Sequence, residues 1–384
     1  MRRTAACRSL PSAACLALLL AGCAAYPRVP CAPHVHPALG DMTAHYGIVR
    51  LMYATDRRPV GGPVPALYYG VDRDRALHLG TCDVSIPAGH VRGRLETPLP
   101  LLWPDPRHHV MLLAQPAVLE ADEFVAELDR RLRDSPGGDV LVFIHGYYTS
   151  FHDAVRLTAQ IAHDVDFAGV AVCYSWPSEA WLLGYLIDGG NAEWTIPHLR
   201  DFLQLLIEHG GAKRIHILAH SMGARTLARA VRELSLRRIA TGPPWFENVV
   251  LAAADVDTEL FERDYADWLS RSTRRLTLYV STADLALGGS RLLHKYTRLG
   301  QTGPLNQQAA WLANCETIDA TAVDHGAVGH VYYARSPTVL RDLAGLLAGR
   351  SAAQRGLPAS DGRYLLAPAY DPHGELLPAP ATQR

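Results

Sequence analysis

The chain has 384 residues, of which 48% are hydrophobic, 20% charged and 8% aromatic. This is the composition of a globular protein and excludes a collagen-like, disordered or low-complexity chain. Lys and Arg together number 37 and Asp and Glu 38, so the formal net charge is −1. Since there is no basic excess to pair with a phosphate backbone, we expect no nucleic-acid partner.

The first 22 residues have the pattern of a secretory signal peptide. Three arginines among the first eight residues precede a short apolar run, 13–21, and no acidic residue occurs before Cys23. The run is about half the length of a membrane-spanning helix. It ends in Leu-Ala-Gly-Cys at 20–23, which resembles the lipobox of bacterial lipoproteins. That resemblance implies cleavage before Cys23 and its lipidation, and therefore a protein tethered to a membrane of the bacterial cell envelope.

The segment that follows refines this expectation. Ala24 comes after the cysteine, whereas an Asp there would favour the inner membrane, so we expect an outer-membrane anchor that faces the periplasm. A plain secreted protein with a coincidental cysteine is the alternative. Residues 23–45 are rich in Pro and Ala without periodicity, which predicts a lipidated N-terminus and a flexible tether. The periplasm permits disulfides, but the pairing of the remaining cysteines cannot be read from their positions.

Residues 46–348 have the pattern of one α/β domain. Strand-like runs at 47–54, 76–86 and 109–118 predict an N-terminal, strand-rich extension over 46–120. Strands then alternate with helices, which predicts a mostly parallel sheet covered by helices on both faces. We expect further strands at 139–145, 169–175, 214–219, 248–254, 276–281 and 316–321, and helices at 120–133, 150–164, 197–210, 222–234 and 336–347. Residues 349–384, rich in Pro, Ala and Gly, are expected to form a loose C-terminal tail.

A serine stands where one predicted strand meets a predicted helix. Residues 219–223 read Ala-His-Ser-Met-Gly and match the nucleophile elbow Gly-x-Ser-x-Gly, with Ala219 in place of the first glycine. Small flanking residues are needed because the turn from strand to helix is tight. The helix start behind Ser221 directs free amides toward developing negative charge. Ser221 is therefore the candidate nucleophile; a serine that merely caps the helix is the alternative.

Several stretches together resemble the alpha/beta-hydrolase superfamily, in particular a bacterial branch of esterase/lipase-like proteins of unknown function. They are LVFIHGY at 141–147, YSWPS at 174–178, AHSMG at 219–223 and GHVYY at 329–333, with YATDR at 53–57 and VSIP at 84–87 in the N-terminal extension. The resemblance implies the alpha/beta-hydrolase fold, a mostly parallel sheet flanked by helices, and a serine hydrolase mechanism. It implies no substrate, because a fold does not fix function.

The resemblance also implies where the partners of the serine lie, because the chain order in this fold is serine, acid, histidine. The acid follows a late strand, which favours Asp284 after the predicted strand 276–281. Asp255 and Asp257 follow the preceding strand and are rivals.

The base is expected beyond the last strand. His330 stands in the Gly-His-x-Tyr pattern of the family and is the favoured base, with His325 as the alternative. A histidine suits this role because its pKa near 6.5 lets it accept and return a proton near neutral pH. His145 precedes the serine in the chain, so we expect it to hold its loop. The backbone amides of Tyr147 and Met222 are the candidate oxyanion-hole donors, since a tetrahedral intermediate needs two fixed donors.

These residues predict a cofactor-free serine hydrolase that cleaves small-molecule acyl esters through an acyl-enzyme. An acyltransferase with the same triad and a non-catalytic envelope scaffold of the same fold are the alternatives. No Walker or Rossmann glycine pattern points to a nucleotide cofactor, and no clustered His and Cys spacing points to a metal site. The oligomeric state stays open.

Overall fold

The computed structural model of the chain describes residues 39–368, apart from 44, 63, 99–103, 182–183, 238–241, 302–311, 313 and 327. The predicted signal peptide, Cys23 and most of the predicted tether therefore lie outside the described residues. Within the described part of the chain, no helix is both long and apolar enough to cross a membrane.

Twelve strands of the described residues form one mixed sheet. They are β1 (Leu39–Thr43), β2 (Tyr46–Pro59), β3 (Tyr69–Pro87), β4 (Ala117–Leu119), β5 (Asp139–Ile144), β6 (Val170–Ser175), β7 (Arg214–His220), β8 (Phe246–Ala252), β9 (Thr273–Val280), β10 (Cys315–Asp319), β11 (Ala359–Ser360) and β12 (Arg363–Leu365). The helices are α1 (Ala121–Asp134), α2 (Phe151–Asp164), α3 (Tyr185–Trp194), α4 (Ile196–His209), α5 (Met222–Arg237), α6 (Thr258–Leu260), α7 (Ala266–Ser272), α8 (Leu285–His294), α9 (Tyr332–Arg335) and α10 (Pro337–Leu347).

The order across the sheet is β11-β12-β10-β9-β8-β7-β5-β6-β2-β3-β4, and β1 pairs with β2. The strands from β12 to β2 run parallel to their neighbours, whereas β1, β3, β4 and β11 pair antiparallel. Because parallel strands end at the same edge, the segments that follow β5, β7 and β9 meet there. In sheets of this kind that edge is where ligands bind.

The centre of the sheet is buried on both faces. In β5, Val140, Val142 and Ile144 join one apolar cluster, and Leu141 and Phe143 join the other. Helices α1, α4 and α5 cover the first face, and α2 and α10 cover the second. A strand with two covered faces reads as a continuous apolar run, which is why the sequence predicts β5, apolar from Val140 to Ile144.

The predicted α/β class, with a mostly parallel sheet and a strand-rich N-terminal region, is confirmed. Two boundaries differ from the prediction in that region. β3 begins at Tyr69, earlier than expected, because it continues its pairing with β2 to Pro59. The predicted strand at 109–118 is wrong: β4 starts only at Ala117, and upstream Leu112 makes a single bridge to Val84.

The C-terminal segment also differs from the prediction. Residues 359–365 form the hairpin β11–β12 rather than a loose tail, and β12 pairs in parallel with β10. This pairing covers what would otherwise be the open edge of β10, and covering such an edge protects the sheet from unwanted strand addition. Residues 369–384 lie outside the described residues.

Candidate active site

Ser221 occupies a tight turn between β7 and α5. Its φ is +53°, a left-handed conformation that costs energy for a residue with a side chain. Three backbone hydrogen bonds hold it: the Ser221 amide donates to the Ala252 carbonyl (3.1 Å), and its own carbonyl accepts from the amides of Ala224 (3.1 Å) and Asp255 (3.2 Å). The serine is therefore fixed at the edge of the sheet by the geometry expected of a nucleophile elbow.

The two small residues near the serine, Gly223 and Ala219, are small for different reasons. A Cβ on Gly223 would collide with the carbonyl oxygen of His145, so only glycine lets α5 approach β5 this closely. Ala219 lies inside β7, where it pairs with Ile144 on one side and Leu251 on the other. Its methyl group is fully buried in regular strand. Alanine therefore fits where the elbow pattern has its first glycine.

The structure brings Ser221, His330 and Asp284 into one hydrogen-bonded chain. His330 Nε2 lies 2.8 Å from Ser221 Oγ, and His330 Nδ1 lies 2.8 Å from Asp284 Oδ2. The other oxygen of Asp284 accepts the amide of Leu287 at 2.9 Å and so caps α8. The carboxylate is thus fixed from two sides, and only the serine-facing nitrogen of the imidazole is left for proton transfer.

The surroundings set the basicity of His330. Burial alone would lower its pKa, but the charge of Asp284 and its hydrogen bond raise it, with smaller contributions from Asp255 and Asp324. The net direction is above 6.5. The neighbouring His220 has its pKa lowered well below its usual value, chiefly by burial. His330 is therefore the better proton acceptor of the two rings, whose centroids lie 4.6 Å apart.

The alternative acids, Asp255 and Asp257, make contacts that do not involve His330. Asp255 accepts the hydroxyls of Tyr185 and Ser290, both at 2.6 Å, and pairs with the guanidinium of Arg298 at 3.3 Å. None of its described hydrogen bonds reaches His330. Asp257 caps α6 through two amides. The alternative base, His325, is exposed, and no contact of the described residues joins it to Ser221.

The loop after β5 lies against the serine. A Cβ on Gly146 would come within 2.8 Å of Ser221 Cβ, which places the peptide between residues 146 and 147 beside the nucleophile. Met222 is the first residue of α5, so the helix supplies no carbonyl for its amide. The two candidate oxyanion-hole residues therefore lie next to Ser221: Tyr147 in the loop that contacts it and Met222 as its neighbour in the chain.

His145 supports this loop. It is buried, stacks on Trp176 at 5.0 Å and donates from Nδ1 to the Gly146 carbonyl at 2.7 Å. Burial and the nearby Arg57 charge lower its pKa to about 3, so it is neutral at physiological pH. These contacts agree with the expectation that it holds the loop.

Arg57 is a supporting residue to which the sequence assigned no role. It is completely buried and donates to the carbonyls of Thr149 (2.7 Å), Ser178 (3.0 Å) and Gly70 (3.2 Å) and to the hydroxyl of Ser175 (2.9 Å). Burial lowers its pKa to about 10, so it stays charged. Arg57 thereby ties the loops after β5 and β6 to the N-terminal strands. The only signal in the sequence was its place in the YATDR stretch.

In the part of the chain that the structure describes, neither a metal-binding group nor the cavity described below belongs to the serine site. Among the described residues, no group of His, Cys, Asp and Glu side chains is arranged to hold a metal ion. A cavity of about 430 Å³ lies between α1 and the segments that precede β5 and β7, lined in part by Asp129, Arg133 and Lys213. Since Ser221 follows the other end of β7, this cavity is not part of the serine site.

The chain was compared with protein families, curated sequences and solved structures. Residues 120–350 match the family described as "Alpha/beta hydrolase of unknown function (DUF900)". The chain is also similar to the solved structure of MenH from S. aureus, at 13% sequence identity and a TM-score of 0.29, over 55% of this chain and 92% of the MenH chain. Among curated protein sequences, none matches the chain. Since the family match spans more than half of the chain and contains Ser221, Asp284 and His330, the protein belongs to this family of alpha/beta hydrolases.

Proposed function

We propose that this alpha/beta hydrolase is a serine esterase that cleaves carboxylic esters of small acyl substrates through an acyl-enzyme. One observation carries the proposal: two hydrogen bonds of 2.8 Å link Asp284 through His330 to Ser221, and the serine stands on an elbow at the ligand-binding edge of the sheet. Nucleophile, base and orienting acid in this arrangement suit acyl transfer.

In the first half of the reaction, Ser221 Oγ attacks the ester carbonyl while His330 Nε2 accepts its proton. Asp284 stabilises the resulting imidazolium and keeps the ring in the correct tautomer. The negative charge that develops on the carbonyl oxygen is met by the amides of Tyr147 and Met222. His330 then gives the proton to the leaving alcohol, and the acyl group stays on the serine.

In the second half, water replaces the alcohol. His330 accepts a proton from the water as it attacks the acyl carbonyl, and the same two amides hold the second oxyanion. Return of the proton to Ser221 Oγ releases the carboxylic acid and restores the enzyme. Every proton moves through one imidazole, which is why the net rise in the pKa of His330 matters for the rate.

The proposal is tested by hydrolysis of p-nitrophenyl acetate and butyrate. We expect turnover by the wild type and a loss of at least about 10³-fold in kcat for Ser221→Ala, with an unchanged thermal unfolding temperature. His325→Ala is the matched control for His330→Ala, because His325 is exposed and outside the hydrogen-bonded chain. A wild type no faster than Ser221→Ala would contradict an esterase and favour a non-catalytic scaffold.

We also propose that the mature protein is held in the bacterial outer membrane by lipid on Cys23. The support is the lipobox-like sequence at 20–23 and the Pro-rich tether behind it. Cys23→Ser should lower the share of the protein in the membrane fraction and abolish incorporation of an alkyne-labelled palmitate. A Cys23→Ser protein that still incorporates the fatty acid would contradict the assignment of the modified residue.

A further inference from the structure

Helices α3 and α8, with Trp181 before α3 and Tyr296 after α8, expose large apolar side chains to solvent. Six side chains, each more than half exposed, form what we call the mouth surface: Trp181, Leu186, Leu285, Leu292, Leu293 and Tyr296. Leu292 is 78% and Leu186 74% exposed. Exposed apolar groups scattered singly are ordinary, but a cluster of this kind marks an interaction surface.

The mouth surface is carried by elements that adjoin the serine site. α8 starts directly after Asp284, and Tyr185, the first residue of α3, bonds to Ser290 of α8 at 2.9 Å. On the other side, the hydroxyl of Tyr147 donates to the Trp181 carbonyl at 3.2 Å. The exposed side chains are therefore carried by elements that also contact Asp284 and the loop after β5.

Packing among the described residues of the domain does not account for these side chains. Of the ten residues of α8, only Leu287 and Ser290 are buried. An ordinary surface helix turns its apolar stripe to the core and its polar residues to water. α8 instead presents Leu292 and Leu293 outward, which indicates that something outside the domain covers them.

The charge around α8 indicates what that partner is. The 31 residues 285–315 contain no Asp or Glu, and the exposed Arg291 and Lys295 flank the exposed leucine pair. Asp255 and Asp284, which adjoin this surface, are buried and bonded, and so is Asp188 of α3. Glu179, beside Gly184, is partly exposed. Leucines beside basic residues suit an anionic lipid surface, where apolar side chains enter the acyl region and cations meet the headgroups. Trp and Tyr at the rim also favour the membrane interface.

We propose that the mouth surface docks on an anionic phospholipid bilayer, so that the serine site opens toward the lipid. This contact is made by the folded domain and is separate from the lipid proposed on Cys23. It would present acyl chains in the bilayer to Ser221, but docking itself needs no turnover. The proposal therefore stands or falls independently of the esterase proposal.

The test is flotation of the full-length chain with phosphatidylcholine vesicles, with and without phosphatidylglycerol. Every sample carries Cys23→Ser and Ser221→Ala, so that neither lipidation nor hydrolysis contributes. We expect binding to the anionic vesicles to fall about tenfold or more in Leu292→Ser/Leu293→Ser, and to fall and lose its salt dependence in Arg291→Gln/Lys295→Gln. Since the N-terminal segment is the same throughout, differences between variants report the mouth surface.

Leu236→Ser is the control for the leucine pair variant, because Leu236 is exposed on a helix to the same 55% as Leu293 and lies at the far end of α5. It should bind vesicles as the parent does. Equal binding by the leucine pair variant and the parent would overturn the proposal, and so would equal binding to neutral and anionic vesicles. A parent that is dimeric in solution and becomes monomeric in Leu292→Ser/Leu293→Ser would instead assign the surface to a second copy.

Discussion

Gly146 lies directly against Ser221. A methyl group on its Cα would come within 2.8 Å of the serine Cβ and within 2.6 Å of His220 Nδ1. Neither neighbour can yield, because the serine backbone is held by three hydrogen bonds and the His220 ring stacks on Tyr333 at 4.3 Å. The distance between the loop after β5 and Ser221 therefore depends on this glycine.

Gly146→Ala should separate the loop from the serine. We expect kcat for p-nitrophenyl butyrate to fall by about 10²-fold or more, since loss of a single oxyanion donor has an effect of that size. Gly189→Ala is the control: that glycine lies in α3 with nothing within 4 Å of its added Cβ. Its kcat should match that of the wild type. Undiminished kcat in Gly146→Ala would contradict the assignment of the loop.

Asp284→Asn tests which acid serves the base. It keeps the shape of the side chain but removes the charge that stabilises the imidazolium, so we expect kcat to fall by roughly 10³–10⁴-fold. Asp255→Asn should leave kcat within about tenfold, but it breaks the buried pair with Arg298 and should lower stability by roughly 3 kcal/mol. Steady-state kinetics and urea unfolding of both variants measure the contrast. A large loss of kcat in Asp255→Asn with kcat kept in Asp284→Asn would instead assign the orienting acid to Asp255.

The pH dependence of the reaction follows from His330. Only the neutral imidazole accepts the serine proton, so kcat/KM should rise with pH through the pKa of His330, with a midpoint above 6.5. His145, with a pKa lowered to about 3, and His220, whose pKa is also lowered, stay neutral through this range. In Asp284→Asn the midpoint should move to lower pH, because the carboxylate charge that raises the pKa of His330 is gone. A midpoint that does not move in this variant would contradict the role of Asp284 as the partner of His330.

Arg57→Lys tests the buried support of the loops. A lysine ammonium cannot reach the four acceptors that the guanidinium serves, so buried carbonyls lose their donor. We expect the free energy of unfolding to fall by about 3 kcal/mol. Arg58→Lys is the matched control, because Arg58 is exposed and its only described ion pair is with the exposed Asp72. Arg58→Lys should change the free energy of unfolding, measured with urea, by less than about 0.5 kcal/mol. Equal effects of the two substitutions would show that Arg57 is dispensable.

The sequence predicted those parts of the fold that depend on local patterns. β5 is an unbroken apolar run from Val140 to Ile144, and the elbow around Ser221 lies within five consecutive residues. Asp284 and His330 could be proposed because the order of the fold leaves few loops for them. The structure brings these two residues to Ser221 as that order implies.

What the sequence did not predict depends on contacts between distant segments. Arg57 bonds to residues 118 and 92 positions away, Ser175 and Thr149, and no local pattern encodes such acceptors. β12 has only three residues, and its place beside β10 is set by the open edge of the sheet. The exposed leucines lie in α8, a segment for which the sequence predicted no helix.

The most direct measurement of the central claim is labelling with a fluorophosphonate probe, followed by mass spectrometry of the modified peptide. Folded wild type should be labelled on Ser221, Ser221→Ala should not be labelled, and heat-denatured wild type should lose labelling because the triad is dispersed. Labelling on another serine, or equal labelling of the wild type and Ser221→Ala, would contradict the assignment of the nucleophile. A folded wild type that is never labelled would contradict an activated serine at this site.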